Sequence, residues 1–135
     1  MQVIIVGRDR ELLEPLVGLL AKAGLGAIPV ENANSAVTAL KKTNAQFVVA
    51  DSALLVDQNL GSELLKHAPL VRLIGFSDKL TIPGLVEALM SGLIDCFPRT
   101  PAYLGAVVDL VVSEGRRVAR WRNMLLTDDP AVAGE

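Results

Sequence analysis

The sequence has little cysteine, few aromatic residues and no long apolar run. Its one cysteine is Cys96, so no disulfide can form within a chain, which suits a reducing compartment. No apolar run approaches the roughly 18 residues that a membrane helix needs, and the amino terminus has no basic leader of the secretory kind. We therefore expect a cytoplasmic protein that has no membrane partner.

The shortage of aromatic residues limits what the core can be made of. Aromatic residues make up 4% of the 135 residues, whereas hydrophobic residues make up 51%. The core must therefore consist of valine, leucine, isoleucine and alanine, which typically fill a parallel sheet covered by helices on both faces.

The charges nearly balance. Lysine and arginine total 13 and aspartate and glutamate total 15, for a net charge of −2, which argues against bulk binding to nucleic acid. The basic residues near the carboxyl end are interpreted as a solvated helix face: Arg116, Arg117, Arg120 and Arg122. The only histidine, His67, falls at a predicted helix end, where an imidazolium suits the helix dipole.

Several motifs of ligand-binding α/β domains are absent. There is no Gly-x-Gly-x-x-Gly after the first predicted strand and no Gly-x-x-x-x-Gly-Lys-Ser/Thr loop. There is also no Asp-x-His-x-x-Gly sequence of the cobalamin-binding kind. No cofactor is therefore expected.

Short apolar runs alternate with helical patterns along the chain. Strands are predicted at residues 3–6, 27–30, 46–50, 70–76 and 93–97, each followed by a helical pattern, with a loop at 52–60. The pattern predicts one α/β domain over residues 1–126, a five-stranded doubly wound parallel sheet with an extended last helix, and a flexible tail at 127–135. In such sheets the functional crevice lies at the carboxyl ends of the strands.

Three features at those strand ends resemble the receiver domains of two-component response regulators, which are CheY-like and have flavodoxin-like topology. An aspartate, Asp51, directly follows the apolar third strand, and a hydroxyl residue, Ser77, ends the fourth. The stretch from Gly92 to Arg99 is similar to the receiver sequence Gly-x-x-Asp-Tyr-Leu-Pro-Lys. The resemblance covers roughly residues 1–112.

The resemblance implies a role for each of these residues. Asp51 would be the phospho-acceptor, Ser77 the hydroxyl that binds a phosphoryl oxygen, and Arg99 the substitute for the lysine. It also implies a bacterial phosphorelay protein without enzymatic turnover of its own, with a histidine kinase or another signalling protein as partner.

The sequence departs from the receiver pattern where the family binds Mg²⁺. Receivers carry two acidic residues after the first strand, but this chain has Gly7 and Arg8 there, and Asp9, at the next position, is expected to cap a helix. Asp51 alone would be a poor Mg²⁺ site, because this ion prefers several oxygen ligands. We therefore expect a degenerate receiver that acts by protein contact, with phosphorylation of Asp51 left open.

Arg8 suggests a specific hypothesis. Its guanidinium could pair with Asp51 in the place of the metal and lower the pKa of that carboxyl. The alternative is that Arg8 lies over the domain surface. A second departure is Cys96, which stands at the position of the family's switch aromatic and is expected to be a small core residue.

The last helix carries an apolar stripe that is longer than a receiver needs. Its members are Leu104, Val107, Val111, Val118, Trp121 and Leu125. The part after residue 112 must pack on something, and Val118 and Trp121 are the predicted interface residues. The candidates are a second copy in a homodimer through residues 104–125, an output domain, or the domain itself after a bend at Gly115.

Two other functions remain open at this point. One is a small flavodoxin-like ligand-binding domain, which the missing nucleotide motifs disfavour. The other is a structural adaptor that oligomerises through its long last helix.

Overall fold

Five strands and five α-helices alternate in the computed structural model, which describes residues 1–126; the predicted tail lies outside the described residues. The strands are β1 (Gln2–Val6), β2 (Gly26–Val30), β3 (Phe47–Asp51), β4 (Arg72–Ser77) and β5 (Leu93–Pro98). The helices are α1 (Arg10–Lys22), α2 (Ala33–Lys42), α3 (Leu60–His67), α4 (Ile82–Met90) and α5 (Leu104–Leu126). None of these helices is both long and apolar enough to cross a bilayer.

All neighbouring strands pair in parallel, in the order β2-β1-β3-β4-β5. This is the flavodoxin-like order, so the predicted doubly wound sheet is confirmed. Alternate residues of β1 show why both faces are covered: Ile4 belongs to the cluster packed against α2 and α3, and Ile5 to the cluster packed against α1 and α5.

Two helices begin at a polar side chain that satisfies a free backbone N–H. Asn32 Oδ1 accepts from the Ser35 N–H at 2.9 Å, and Thr81 Oγ1 accepts from the Gly84 N–H at 3.1 Å. Helix α2 therefore begins at Ala33 and helix α4 at Ile82.

The segment predicted as a loop at 52–60 contains a helical turn. Residues Ala53–Asp57 form a π-helix, and Leu55 within it is 2% exposed. Asn59 then adopts a left-handed conformation with φ of 59° and leads directly into α3. The burial of Leu55 gives this turn an anchor in the core, and short π-helical segments are frequent at functional sites.

Helix α5 continues past the core and crosses the amino end of the sheet. At Gly115 it contacts Met1, so closely that an added Cβ would collide with the Met1 side chain. The ring carbon Cε2 of Phe47, at the start of β3, would lie 3.8 Å from the same Cβ. A larger residue at position 115 would therefore require the flexible Met1 side chain to move.

The extension of α5 is held there by charged and aromatic side chains. Trp121 has the guanidinium carbon of Arg72 4.9 Å from its ring centroid and that of Arg117 4.8 Å from it. Glu114 lies 3.7 Å from Arg72 and 3.3 Å from Arg117. Arg72 is the first residue of β4, so this cluster joins the helix to the sheet.

This packing gives Val118 and Trp121, the predicted interface residues, contacts within their own domain. Val118 is only 2% exposed within a single chain, and the ring of Trp121 already lies against two guanidinium groups. Among the described residues of the extension, the exposed large apolar side chains are Met124 and Leu125. The buried part of the apolar stripe thus packs on its own domain, along a helix that is continuous from Leu104 to Leu126.

Candidate functional site

The carboxyl ends of the central strands bring four polar residues to one edge of the sheet. Asp51 is the last residue of β3, Ser77 is the last residue of β4, and Arg99 follows β5 directly. Asp9 lies in the turn after β1. Since β1, β3, β4 and β5 are consecutive in the sheet, the fold places these residues side by side.

Arg99 is the cation at the centre of this site. Its Nη2 donates a hydrogen bond of 2.9 Å to Asp51 Oδ2. Its Nη1 lies 3.6 Å from Asp78 Oδ1 and 3.9 Å from Asp9 Oδ2. The backbone N–H of Arg99 also donates to the Ser77 carbonyl oxygen at 2.9 Å, which fixes the start of the side chain. One guanidinium therefore faces three carboxylates.

The predicted ion pair between Arg8 and Asp51 is not formed. Within the described part of the chain, the cationic side chain that approaches Asp51 to within 4 Å is that of Arg99. The chain turns at Gly7, which has φ of +150° and donates its N–H to the Val30 carbonyl oxygen at 2.9 Å. Arg8 is exposed and lines a groove between α1 and β2 instead.

Asp9 also differs from its predicted role. It occupies the position before α1 where a capping residue stands, but its side chain makes no capping hydrogen bond. Its carboxylate approaches Arg99 instead.

Asp78 is the site residue that the sequence reasoning missed. It follows Ser77 at the end of β4, and it lines the same cleft as Asp51, Ser77 and Lys79. The cleft has a volume of about 450 Å³. Its position next to a predicted strand end was a sufficient signal, because every residue just after a parallel strand lies at this edge.

The charges of the site act on Asp51 in opposite directions. Burial raises the pKa of the Asp51 carboxyl above its ordinary value of 3.8, and the Arg99 guanidinium lowers it through its charge and its hydrogen bond. The carboxylates of Asp78 and Asp9 raise it again. The balance is a raised pKa, because one arginine does not offset desolvation together with two neighbouring acids.

The donor set does not suit Mg²⁺. Gly7 offers no side chain and Arg8 offers a cation, so Asp51 lacks the two acidic partners that receivers place after the first strand. The remaining carboxylates, Asp9 and Asp78, are both near the Arg99 guanidinium. Within residues 1–126 no three acidic, histidine or cysteine side chains are grouped to hold a metal ion. The positive charge within 4 Å of these carboxylates is the guanidinium of Arg99.

Cys96 lies beneath the site, in the core. It is 5% exposed and belongs to the cluster that contains Ile4 and Val48. Burial raises the pKa of the Cys96 thiol, and Asp95 adds to this, while hydrogen bonds that involve Ser52 and Phe97 lower it. The expectation of a small core residue is confirmed, and an aromatic side chain at this position would have no room without repacking.

Several solved structures that are similar to this chain are response regulators. An orphan response regulator of H. pylori is 18% identical, with 84% of this chain and 94% of that chain covered and a TM-score of 0.74. A response regulator of Thermotoga maritima is also 18% identical, with 83% and 94% covered and a TM-score of 0.73. One of Burkholderia pseudomallei, with a phosphorylated aspartic acid and a calcium ion, is 17% identical, with 90% and 74% covered and a TM-score of 0.66. The sequence itself matches no family model and no curated protein.

Proposed function

We propose that this chain, which has the CheY-like fold of response-regulator receiver domains, is a two-component signalling receiver that acts by protein contact and without metal-dependent phosphorylation. The observation that carries the proposal is the pairing of Arg99 with Asp51 at 2.9 Å. In a working receiver Mg²⁺ neutralises the charge that develops when the aspartate attacks a phosphoryl group. Here the cation at the Asp51 carboxylate is the guanidinium of Arg99, and Gly7 and Arg8 stand where receivers carry the acids that hold the ion.

Electrostatics around Asp51 oppose the arrival of a phosphoryl group. The carboxylates of Asp9 and Asp78 lie within 4 Å of the other terminal nitrogen of Arg99, Nη1. A phosphoryl donor carries negative charge into a cleft where the carboxylates outnumber that guanidinium, and Coulomb repulsion at these separations disfavours its approach. Asp51 and Ser77 keep the residue types of a receiver's acceptor and hydroxyl positions. The positive charge of a metal ion, which would activate the acceptor, has no acidic pair to hold it.

A protein partner is the consistent alternative to phosphoryl input. Helix α4 exposes large apolar side chains on a helix with one charged residue: Ile82, Val86, Leu89 and Met90. Ile82 is 80% exposed and Met90 84% exposed, so neither side chain packs on the sheet. A group of exposed apolar side chains of this kind is typical of a surface that binds another protein. A histidine kinase or another signalling protein is the expected kind of partner, in the cytoplasm, and no enzymatic turnover is expected of the chain.

The homodimer predicted through residues 104–125 has less support. Val107, Val111 and Val118 are buried within one chain, so they are not available to a second copy. Of the predicted stripe, Leu125 at the end of α5 is still largely exposed, at 72%. The adaptor function that depends on this stripe is weakened for the same reason.

The deciding experiment is intact-mass spectrometry after incubation with acetyl phosphate and Mg²⁺. We expect no stable phosphoryl adduct on the wild-type chain under conditions that label a receiver with a complete acidic pair. The Asp51→Asn variant serves as the matched control for labelling elsewhere. An Mg²⁺-dependent adduct on the wild-type chain that Asp51→Asn lacks would overturn the proposal and make the chain a phosphorylated receiver.

A further inference from the structure

A groove beside the candidate site lies between the start of α1 and the end of β2. Its volume is about 640 Å³, within the range of small-molecule sites. Its apolar lining comes from two elements: Leu13 and Val17 of α1, and Pro29 and Val30 of β2. The groove opens at the carboxyl ends of β1 and β2, the side of the sheet where α/β domains bind ligands.

Two arginines stand at the groove without a partner in the described chain. Arg8 and Arg10 both line it and are both exposed, and neither has a carboxylate within 4 Å among residues 1–126. Guanidinium groups bind carboxylate and sulfonate groups through paired hydrogen bonds. Glu14 and Glu31 also line the groove and would accept from a hydroxyl or amine.

The backbone explains how this arrangement arises. Gly7 turns the chain with φ of +150° just before these residues. Arg8 and Arg10 line the groove, whereas Asp9 between them approaches Arg99. A molecule bound by the two arginines would therefore act on the residue that touches the Asp51 site.

We propose that this groove binds a small organic acid with an apolar body, whose acidic group is held by Arg8 and Arg10 and whose apolar part lies on Leu13, Val17 and Pro29. Asp9 transmits the occupancy of the groove to Arg99. This inference goes beyond the proposed function: the binding site stands without it, and only the link to signalling rests on it.

The test uses 8-anilinonaphthalene-1-sulfonate, an apolar sulfonate whose fluorescence reports an apolar site. We expect saturable binding that shifts the backbone amide signals of Gly7, Arg8 and Glu31 in a heteronuclear NMR spectrum. The double variant Arg8→Gln with Arg10→Gln should lose about tenfold in affinity, the scale of one charge-assisted contact. The matched control is Arg116→Gln with Arg122→Gln, two exposed arginines of α5, and it should bind as the wild type does.

Two further measurements are needed. The first distinguishes binding in the groove from binding to other apolar surfaces, and the second tests the coupling between the groove and Arg99 through Asp9. Uncharged N-phenyl-1-naphthylamine should bind the wild type and the double arginine variant equally. Asp9→Asn should keep the sulfonate affinity but abolish the shift of the Arg99 side-chain signals on binding. Signals that move on α4 instead of the groove, or a double variant that binds as the wild type does, would overturn the site. An Arg99 shift that persists in Asp9→Asn would overturn the link through Asp9.

Failure of this proposal is distinguishable from failure of the proposed function. Sulfonate binding is measured on the chain alone, with no phosphodonor present. The phosphorylation experiment concerns Asp51 and does not depend on Arg8 or Arg10, so either result can be obtained without the other.

Discussion

Arg99 holds Asp51 by a single hydrogen bond of 2.9 Å, while the other terminal nitrogen of the same guanidinium faces Asp78 and Asp9. The side chain of Arg99 is 27% exposed and that of Asp51 42% exposed, so solvent screens the pair. A pair at this exposure contributes about 1 kcal/mol or less to stability. Its main effect is therefore on the charge and availability of Asp51 and less on the stability of the fold.

The first prediction concerns the protonation of Asp51. We expect a carboxyl titration followed by NMR to give Asp51 a pKa above 3.8, because burial and two acids outweigh Arg99. Arg99→Gln should raise this pKa further, since the lowering charge and hydrogen bond are lost. Asp78→Asn should lower it, since a raising charge is lost. Arg8→Gln is the control and should leave it unchanged; a shift there as large as in Arg99→Gln would contradict the geometry of the site.

The same shift predicts a pH dependence of stability. A carboxyl whose pKa is higher in the folded chain than its ordinary value of 3.8 binds its proton more tightly when folded. The folded state therefore gains stability from this group as the pH falls through the raised pKa towards 3.8, and loses it as the pH rises again. At pH 7, where Asp51 is ionised, we therefore expect the uncharged Asp51→Asn variant to have a higher free energy of unfolding than the wild type. Urea unfolding at pH 7 and at pH 4 should show that this difference in free energy is smaller at pH 4. The opposite sign would mean that Arg99 dominates.

A second prediction tests the turn that directs Arg8 away from Asp51. Gly7 has φ of +150°, and an added Cβ would lie 3.1 Å from Leu13 Cδ1. Gly7→Ala should therefore destabilise the fold by about 1 kcal/mol or more. Gly18 of α1 has nothing within 4 Å of such a Cβ, so Gly18→Ala should stabilise the chain by about 0.5–1 kcal/mol. Chemical denaturation of both variants gives the comparison; a neutral Gly7→Ala would mean that this backbone turn is not rigid.

The sequence predicted the sheet and three members of the site for a clear physical reason. Apolar runs mark buried parallel strands, and Asp51, Ser77 and Arg99 follow such runs directly, so they had to meet at one edge. The pattern of apolar runs does not predict which way a side chain points in the turn after a strand. Arg8 and Asp9 are adjacent, and the sequence pattern does not show that Asp9 faces the site while Arg8 lines the groove.

The apolar stripe of α5 shows a second limit. The helical spacing alone identified Val118 and Trp121 as residues that pack against another surface. It did not identify that surface. That surface depends on Arg72, a residue of the fourth strand whose guanidinium meets Trp121 only after the sheet is assembled. Contacts between residues so far apart in the chain are not readable from helical periodicity.

A third prediction concerns the Cys96 thiol. The residue is 5% exposed and its thiol pKa is raised by burial, so little reactive thiolate is present at neutral pH. We expect alkylation by iodoacetamide to be about tenfold slower or more in the native chain than in the same chain unfolded in urea. Mass spectrometry at timed intervals measures both rates. Equal rates would show that the strand β5 opens readily around this residue.

The last prediction tests whether the extension of α5 is part of the domain. Val118 is 2% exposed and Leu125 72% exposed, although both belong to the same apolar stripe of one helix. Val118→Ala should lower the free energy of unfolding by about 2 kcal/mol, because it removes buried methyl groups and leaves a cavity. Leu125→Ala should change it by about 0.5 kcal/mol or less. If the stripe instead formed a dimer, both substitutions would weaken self-association in sedimentation equilibrium, and the stability of each variant would depend on protein concentration.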